Sequence, residues 1–250
     1  MSKKARLVFS TDVNGTLTPD NTFAKLVEPD GLAGEMEALM EAYTTGRCSF
    51  AKVLPQMEKL AKKVPRKRVE DYAWAMPLFP GAADTIETLL NSASVRVRAV
   101  LSTTGFAGLI GLFNEIRFGG RLYVAASPVL LELLDKRQKR RLVRTVVAEA
   151  DKAIVLEHLA AIHRPHEGLI FHVGDTLGDL PGLLQAAKLK GTGIAFCPNS
   201  ELAAALAHEA PRELAGRVEV VLPGPDGRPD YGKVLEIVRQ KVLDVCGIEL

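Results

Sequence analysis

Two short apolar runs in this chain each end on a carboxylate. Leu7-Val8-Phe9-Ser10-Thr11 runs into Asp12, and Val13-Asn14-Gly15-Thr16 follows at once. Ile170-Phe171-His172-Val173-Gly174 runs into Asp175, with Asp179 one helical turn further on. Apolar runs of this length, bounded by turn residues, read as buried strands. Each delivers an Asp to the carboxyl end of its strand, where open α/β sheets bind their ligands. A carboxylate there can be a nucleophile or a metal ligand. The competing reading of Asp12 alone is an Asx-turn at a strand end. That of Asp179 alone is a first-turn carboxylate favoured by the helix dipole. In a parallel sheet Asp12 and Asp175 emerge at one edge. Two unpaired carboxylates so placed repel, and one pKa rises unless a cation sits between them. A hard divalent ion with oxygen ligands answers that, and Mg²⁺ is the usual one where phosphate is handled.

Two further segments carry groups suited to phosphate. Ala99-Val100-Leu101 ends in Ser102-Thr103-Thr104-Gly105. Hydroxyls and backbone amides at a strand end, leading into a helix N-terminus, match phosphate oxygens, although helix capping is their commoner use. Lys152 stands at the start of the helix that precedes the strand of Asp175. A lysine there is ordinarily solvated, and its position ahead of Gly174-Asp175 is what singles it out.

These groups need a scaffold, and the chain is built to provide one. Strand-like runs at Leu7–Thr11, Val95–Leu101, Leu122–Ala125, Leu169–Val173, Gly193–Phe196 and Val218–Leu222 alternate with helical stretches. The helical stretches fall between Ala82 and Leu90, Pro128 and Ile162, Asp179 and Leu189, Ser200 and His208, and Tyr231 and Val245. Such alternation implies right-handed crossovers and a mostly parallel, doubly wound sheet. From Pro19 to Pro80 there is no convincing strand. Glu35–Tyr43 is an amphipathic helix, Phe50–Lys62 a second with Ser49 as N-cap and Pro55 as a kink, and Val69–Ala75 a third. The expected organisation is an α/β core at 1–18 and 80–250 with a small helical cap at 19–79.

Composition narrows the class. The chain has 250 residues, 47% of them hydrophobic, and a formal net charge of +2. That suffices for one large domain or one domain with an insertion, and it points to neither nucleic acid nor an acidic partner. Cys48, Cys197 and Cys246 are too scattered for a disulfide framework or a metal cluster. Leu7–Phe9 is too short for a signal-peptide core, and no segment has the length of a membrane span. The expectation is a cytoplasmic protein with no membrane or nucleic-acid partner. His158, His163, His166 and His172 lack ligand spacing and read as surface or core residues. The basic run Lys136, Arg137, Lys139, Arg140, Arg141 and Arg144 reads as the solvated face of a helix, with an anionic partner as the alternative.

Taken in order, Asp12-Val13-Asn14-Gly15-Thr16, Ser102, Lys152 and Gly174-Asp175 with Asp179 resemble the four motifs of the haloacid dehalogenase superfamily. The helical stretch between the first two matches that family's cap. Gly46-Arg47-Cys48-Ser49-Phe50 and Ser102-Thr103-Thr104-Gly105-Phe106 resemble its phosphoserine phosphatase-like branch. The resemblance implies Asp12 as nucleophile, forming an aspartyl-phosphate. It implies Mg²⁺ on the Asp12 carboxylate, the Asn14 backbone carbonyl and Asp175, with Asp179 orienting that shell. Ser102, Thr103 and Lys152 would hold phosphoryl oxygens. The cap, through Asn21, Arg47 and Phe50, would choose a small phosphorylated metabolite and exclude water.

Two positions depart from that pattern. The family's phosphatases carry a second Asp two positions after the nucleophile as acid and base, and here that position is Asn14. The branch also recognises its amino acid through a cap-side Glu and a cap Arg, matched here by Asn21 and Pro55. Without the Arg there is no bidentate carboxylate clamp, so phosphoserine is an unpromising substrate. Arg47 and Arg66 are left to compensate, and surface solvation is the ordinary role of both. The expected activity is Mg²⁺-dependent hydrolysis of a small phosphomonoester, slowed by Asn14. The alternatives are a catalytically impaired binder of phosphorylated ligands and a phosphotransferase or mutase.

Overall fold

The structure, a computed structural model, describes residues 4–208, 214 and 216–250. After β1 (Ala5–Thr11) come four helices, α1 (Thr22–Val27), α2 (Ala33–Thr44), α3 (Phe50–Ala61) and α4 (Arg66–Ala75). The core then continues through α5 (Ala82–Leu90), β2 (Val95–Phe106), α6 (Ala107–Phe118) and β3 (Tyr123–Ser127). Next come a single helical turn, α7 (Lys136–Lys139), the strand β4 (Leu142–Thr145) and α8 (Asp151–His163). The last part comprises β5 (Ile170–Gly174), α9 (Leu180–Lys188), β6 (Thr192–Phe196), α10 (Ser200–His208), β7 (Val218–Val221) and the helix Gly232–Cys246.

The strands form one seven-stranded sheet in the order β4-β3-β2-β1-β5-β6-β7, and every pairing is parallel. The α/β doubly wound architecture is therefore as the sequence implies. β1 lies at the centre because helices cover both faces there, which only a continuous apolar run tolerates. Leu7, Val8 and Phe9 are fully buried. The chain winds outward from β1 to β4 on one side and from β5 to β7 on the other. The switch point lies between β1 and β5, the place where this architecture opens a crevice for ligands.

Two expectations are corrected. The stretch 128–162 is helical only in a 3-10 turn at Leu131–Leu133, in the short turn α7 and from Asp151 onward; β4 lies between α7 and Asp151. An edge strand four residues long with exposed polar positions carries little apolar signal, so β4 was not legible. The basic run is therefore not one helix face. Lys136, Arg137 and Lys139 lie on α7, while Arg144 lies in β4 and pairs with Asp151. Between β1 and α5 there is indeed no named strand among the described residues. α3 runs through Pro55, which removes one backbone donor from its interior. The three cysteines are free. Among the described residues no helix is long and apolar enough to cross a membrane.

Candidate active site

β1 and β5 are in register from Val8 opposite Ile170 to Thr11 opposite Val173. The next residues past the strand ends carry the carboxylates, so Asp12 and Asp175 come together because of that register. One oxygen from each of Asp12, Asp175 and Asp179 lies within 4.8 Å of the others. Between β1 and α1 the chain makes a tight turn in which Gly15 adopts φ +74°, and a Cβ there would collide with Asp175 Oδ2. Only glycine fits, for its left-handed backbone and for the close approach together. Thr16, from the same turn, donates its hydroxyl to Asp175 Oδ1 at 2.6 Å.

Lys152 is 2% exposed, despite being a lysine in the first turn of a helix. The cause lies just before it. The Asp151 carboxylate accepts from the Val147 and Ala148 amides, both at 2.9 Å, and from Arg144 at 2.8 and 3.0 Å. That clamp fixes the entry into α8 and turns Lys152 inward. Its Nζ lies 3.1 Å from Asp12 Oδ1 and 2.5 Å from Asp179 Oδ1. Asp179 Oδ2 accepts from the Asp175 amide, the Thr176 amide and the Thr176 hydroxyl, at 3.1 to 3.2 Å. Both Asp179 oxygens are thus committed to holding the loop and the lysine. His172, one layer below, has Nδ1 2.9 Å from Ser10 Oγ and Nε2 3.6 Å from Asp179 Oδ1.

The electrostatics follow from burial and pairing. Burial pushes the Asp12 carboxyl up to about 6; Lys152 works against that shift, and the nearby Asp179 charge adds to it. Asp175 is raised well above its ordinary value by burial and by the charges of Asp179 and Asp12. Asp179 also suffers from burial, but Lys152 and His172 outweigh it and hold its carboxyl low. For Lys152, burial opposes the charge, and Asp12 and Asp179 more than restore it. Burial keeps His172 low and therefore neutral. Two buried carboxylates and the half-buried Asp175 then face one ammonium. The donor set is short of positive charge, all oxygen, and suited to a hard divalent cation on Asp12 and Asp175.

A cavity of about 380 Å³ opens above these groups, a size suited to a small molecule. Asp12, Asn14, Lys152, Asp175 and Thr176 form part of its lining, with Asn21 from the start of α1. Asn14 directs its amide oxygen to the Thr22 amide at 3.3 Å, and Asn21 caps α1 by accepting from the Ala24 amide at 3.3 Å.

The remaining sequence-derived positions do not join the cavity wall. Ser102 is fully buried, with a hydroxyl that has no partner. β2 does not stop at Leu101 but continues to Phe106 with extra residues, since Ser102 pairs with Ala125 and Phe106 with Ser127. That bulge carries the next hydroxyls forward. Thr103 faces Asp12 and favours its ionised form, and Thr104 lines the cavity. Arg47 is exposed and bonded to Glu41 and Thr45, and Phe50 is buried against Tyr43. Ser49 is the N-cap residue of α3 but makes no side-chain cap bond; Glu149 accepts from the Phe50 amide instead, at 3.3 Å.

Sequence reasoning missed Tyr43, Glu37, Met40 and Glu41 of α2, which line the cavity with Thr104. Their helical spacing was the available signal: residues 37, 40, 41 and 44 share one face, and a mixed acidic and apolar face is unlike an ordinary solvated one.

No protein-family model matches the chain. It is 30% identical over 194 residues to phosphoserine phosphatase SerB2 of Mycobacterium tuberculosis, an alignment covering 77% of this chain and 44% of that protein. The chain thus spans less than half the length of this curated relative. A phospho-aspartyl intermediate analogue of phosphoserine phosphatase superposes with a TM-score of 0.66 at 21% identity, covering 94% of this chain and 100% of that one. A substrate-bound phosphoserine phosphatase complex gives 0.67 at 20%, with the same coverage. At these identities the structural likenesses establish the fold.

Proposed function

We propose that this chain, which has the haloacid dehalogenase fold and resembles the phosphoserine phosphatase-like branch of that superfamily, is a Mg²⁺-dependent phosphohydrolase acting on a small phosphomonoester through Asp12. The observation that carries the reading is the placement of Lys152 between Asp12 and Asp179 at the sheet's switch point, beneath a small-molecule cavity. Helices α1 to α4, within 19–79, act as the cap over a core of 1–18 and 80–250.

The chemistry follows from the side chains. An Asp12 carboxylate oxygen attacks phosphorus, the bond from phosphorus to the ester oxygen breaks, and the alcohol oxygen leaves with the electron pair and takes up a proton. Water then attacks the aspartyl-phosphate, releasing phosphate and restoring Asp12. Lys152, Thr103 and Thr104 supply positive charge and hydroxyl donors for the phosphoryl oxygens, where charge develops during transfer. Asp179 positions Lys152 and the Asp175 loop. Mg²⁺ would be held by Asp12, the Asn14 backbone carbonyl and Asp175, and would neutralise phosphoryl charge. The cap walls the cavity from water.

Asn14 favours a second reading beside the first. Its amide has no proton to exchange near neutral pH and its oxygen is occupied by the Thr22 amide. Formation of the aspartyl-phosphate is then easier than its breakdown, which describes a slow hydrolase, a phosphotransferase or mutase, or a binder of phosphorylated ligands.

Thermal melts with and without Mg²⁺ test the metal site. At a hundredfold excess over Kd, Mg²⁺ should raise Tm by roughly 5–10 °C, and Asp175→Ala should lose that response. Full retention by the variant would place the metal elsewhere. The response should also grow with pH. A carboxyl held at about 6 in the folded chain, against about 4 when unfolded, keeps its proton longer when folded. Its contribution to metal-free stability therefore declines as pH rises across that window, while the ionised form that binds Mg²⁺ becomes available.

A further inference from the structure

The charge of the cavity wall changes from its floor to its mouth, and this bears on the alcohol half of the substrate. Lys152 is the one lysine or arginine among the described residues that line the cavity. It is held by Asp12 and Asp179 at the floor. Toward the cap, the wall is Asp20, Asn21, Glu37, Met40 and Glu41. Glu41 is balanced by Arg47, at 2.6 Å. Asp20 accepts from the Tyr72 hydroxyl at 2.9 Å, and neither Asp20 nor Glu37 has an ion-pair partner among the described residues. Lys25 lies close enough to feel both but is bonded to Glu28 at 3.1 Å.

A second feature marks the same cavity as built for a polar ligand. Tyr43 is 8% exposed and lines the cavity. Its hydroxyl stands over Gly178, where a Cβ would collide with it. It is close enough to feel the charges of Lys152, Asp179 and Asp12. Burial holds this phenol strongly protonated, and the hydroxyl has no hydrogen-bond partner among the described residues. That hydroxyl is therefore free to donate to a ligand oxygen in the cavity.

Resting on the phosphohydrolase reading above, we propose that the cavity takes a phosphomonoester whose alcohol carries a positive charge and no carboxylate. The phosphoryl group lies inward on Lys152, Thr104 and the Tyr43 hydroxyl. The ammonium end lies outward against Glu37 and Asp20, with Met40 beside it. A carboxylate on the alcohol would meet two unpaired acidic groups, with no lysine or arginine lining that part of the cavity. Like charge juxtaposed at a binding surface is an effective means of rejection.

Phosphate release from four esters of matched length decides this: O-phosphoethanolamine, 2-hydroxyethyl phosphate, O-phosphoserine and phosphoglycolate, with acetyl phosphate as a compound lacking the alcohol group. The expected kcat/KM for phosphoethanolamine exceeds that for 2-hydroxyethyl phosphate by about tenfold, as two partly exposed charge pairs of ordinary strength together supply. Phosphoglycolate is the poorest, and the preference shrinks with added salt. Glu37→Gln combined with Asp20→Asn brings the ratio of the first two esters close to one. Tyr43→Phe raises KM for all four, since its hydroxyl meets the phosphoryl group they share. Turnover of acetyl phosphate with no preference for the ammonium ester, or with phosphoserine and phosphoglycolate favoured, would overturn this inference and leave the phosphohydrolase reading standing. No turnover of any of the five, with no phosphoryl group on Asp12, would instead remove the reading on which it rests.

Discussion

Asn14→Asp raises steady-state phosphate release by on the order of 10²–10⁴-fold, the contribution of a positioned acid–base group. The gain is larger for alkyl phosphomonoesters than for acyl phosphates, because an alkoxide needs a proton as it leaves and an acyl carboxylate does not. The geometry favours a folded variant. Asn14 bonds through its amide oxygen, accepting from the Thr22 amide at 3.3 Å. A carboxylate accepts the same bond with one oxygen, near a helix N-terminus that favours negative charge. Its other oxygen is then free to give a proton to the leaving group and take one from water. The measurement is the phosphate-release rate of both proteins on one acyl and one alkyl ester, with deamidation of Asn14 excluded by peptide mapping. Fast alkyl-ester hydrolysis by the chain as it stands, with no gain from Asn14→Asp, would mean that another group transfers the proton.

Lys152→Met lowers stability in the absence of divalent cations by about 3–5 kcal/mol, the cost of stranding buried charge when one partner of an ion pair is removed. For a chain of this size that is a fall in Tm of roughly 6–20 °C. The loss follows from the count of charges: Asp12, Asp175 and Asp179 remain, with no ammonium among them. It is smaller at pH 5 than at pH 8. Without the lysine the carboxylates pass into their neutral forms more readily, and acid supplies the protons. Phosphoryl transfer is lost at both pH values, and Mg²⁺ recovers part of the stability but not the transfer. Calorimetry at the two pH values checks this. A change within about 0.5 kcal/mol at pH 8, typical of a surface lysine, would contradict the buried position.

The parts of this picture that were legible in the sequence share a physical cause. A strand buried on both faces must be apolar throughout, so β1 and β5 announced themselves, and the Asp that ended each was conspicuous. Lys152 was legible only through its place ahead of Gly174-Asp175. Nothing in its own helix shows that Asp151, Arg144 and two amides turn it inward, because that clamp needs β4. The edge strand itself was hidden by its polar, half-exposed residues. Ser102 looked like the residue at the strand end because the apolar run stops at Leu101. Pairing with β3 carries β2 on to Phe106, and a bulge brings Thr103 and Thr104 to the site instead. Arg47 and Phe50 were placed by resemblance to a motif, but packing sends one to solvent and the other into the core. Helical spacing groups Glu37, Met40 and Glu41 on one face of α2, but that this face and Tyr43 reach the cavity is set by tertiary packing.

The central claim, that Asp12 carries the phosphoryl group, is tested by intact-protein mass spectrometry after rapid acid quench of the Mg²⁺-loaded protein mixed with acetyl phosphate. The expected result is a mass increase of one phosphoryl group, mapped to the peptide containing Asp12, absent from Asp12→Asn, and shorter-lived in Asn14→Asp. A folded, Mg²⁺-loaded protein that releases phosphate without this adduct in any of the quenched samples, or an adduct that persists in Asp12→Asn, would contradict it.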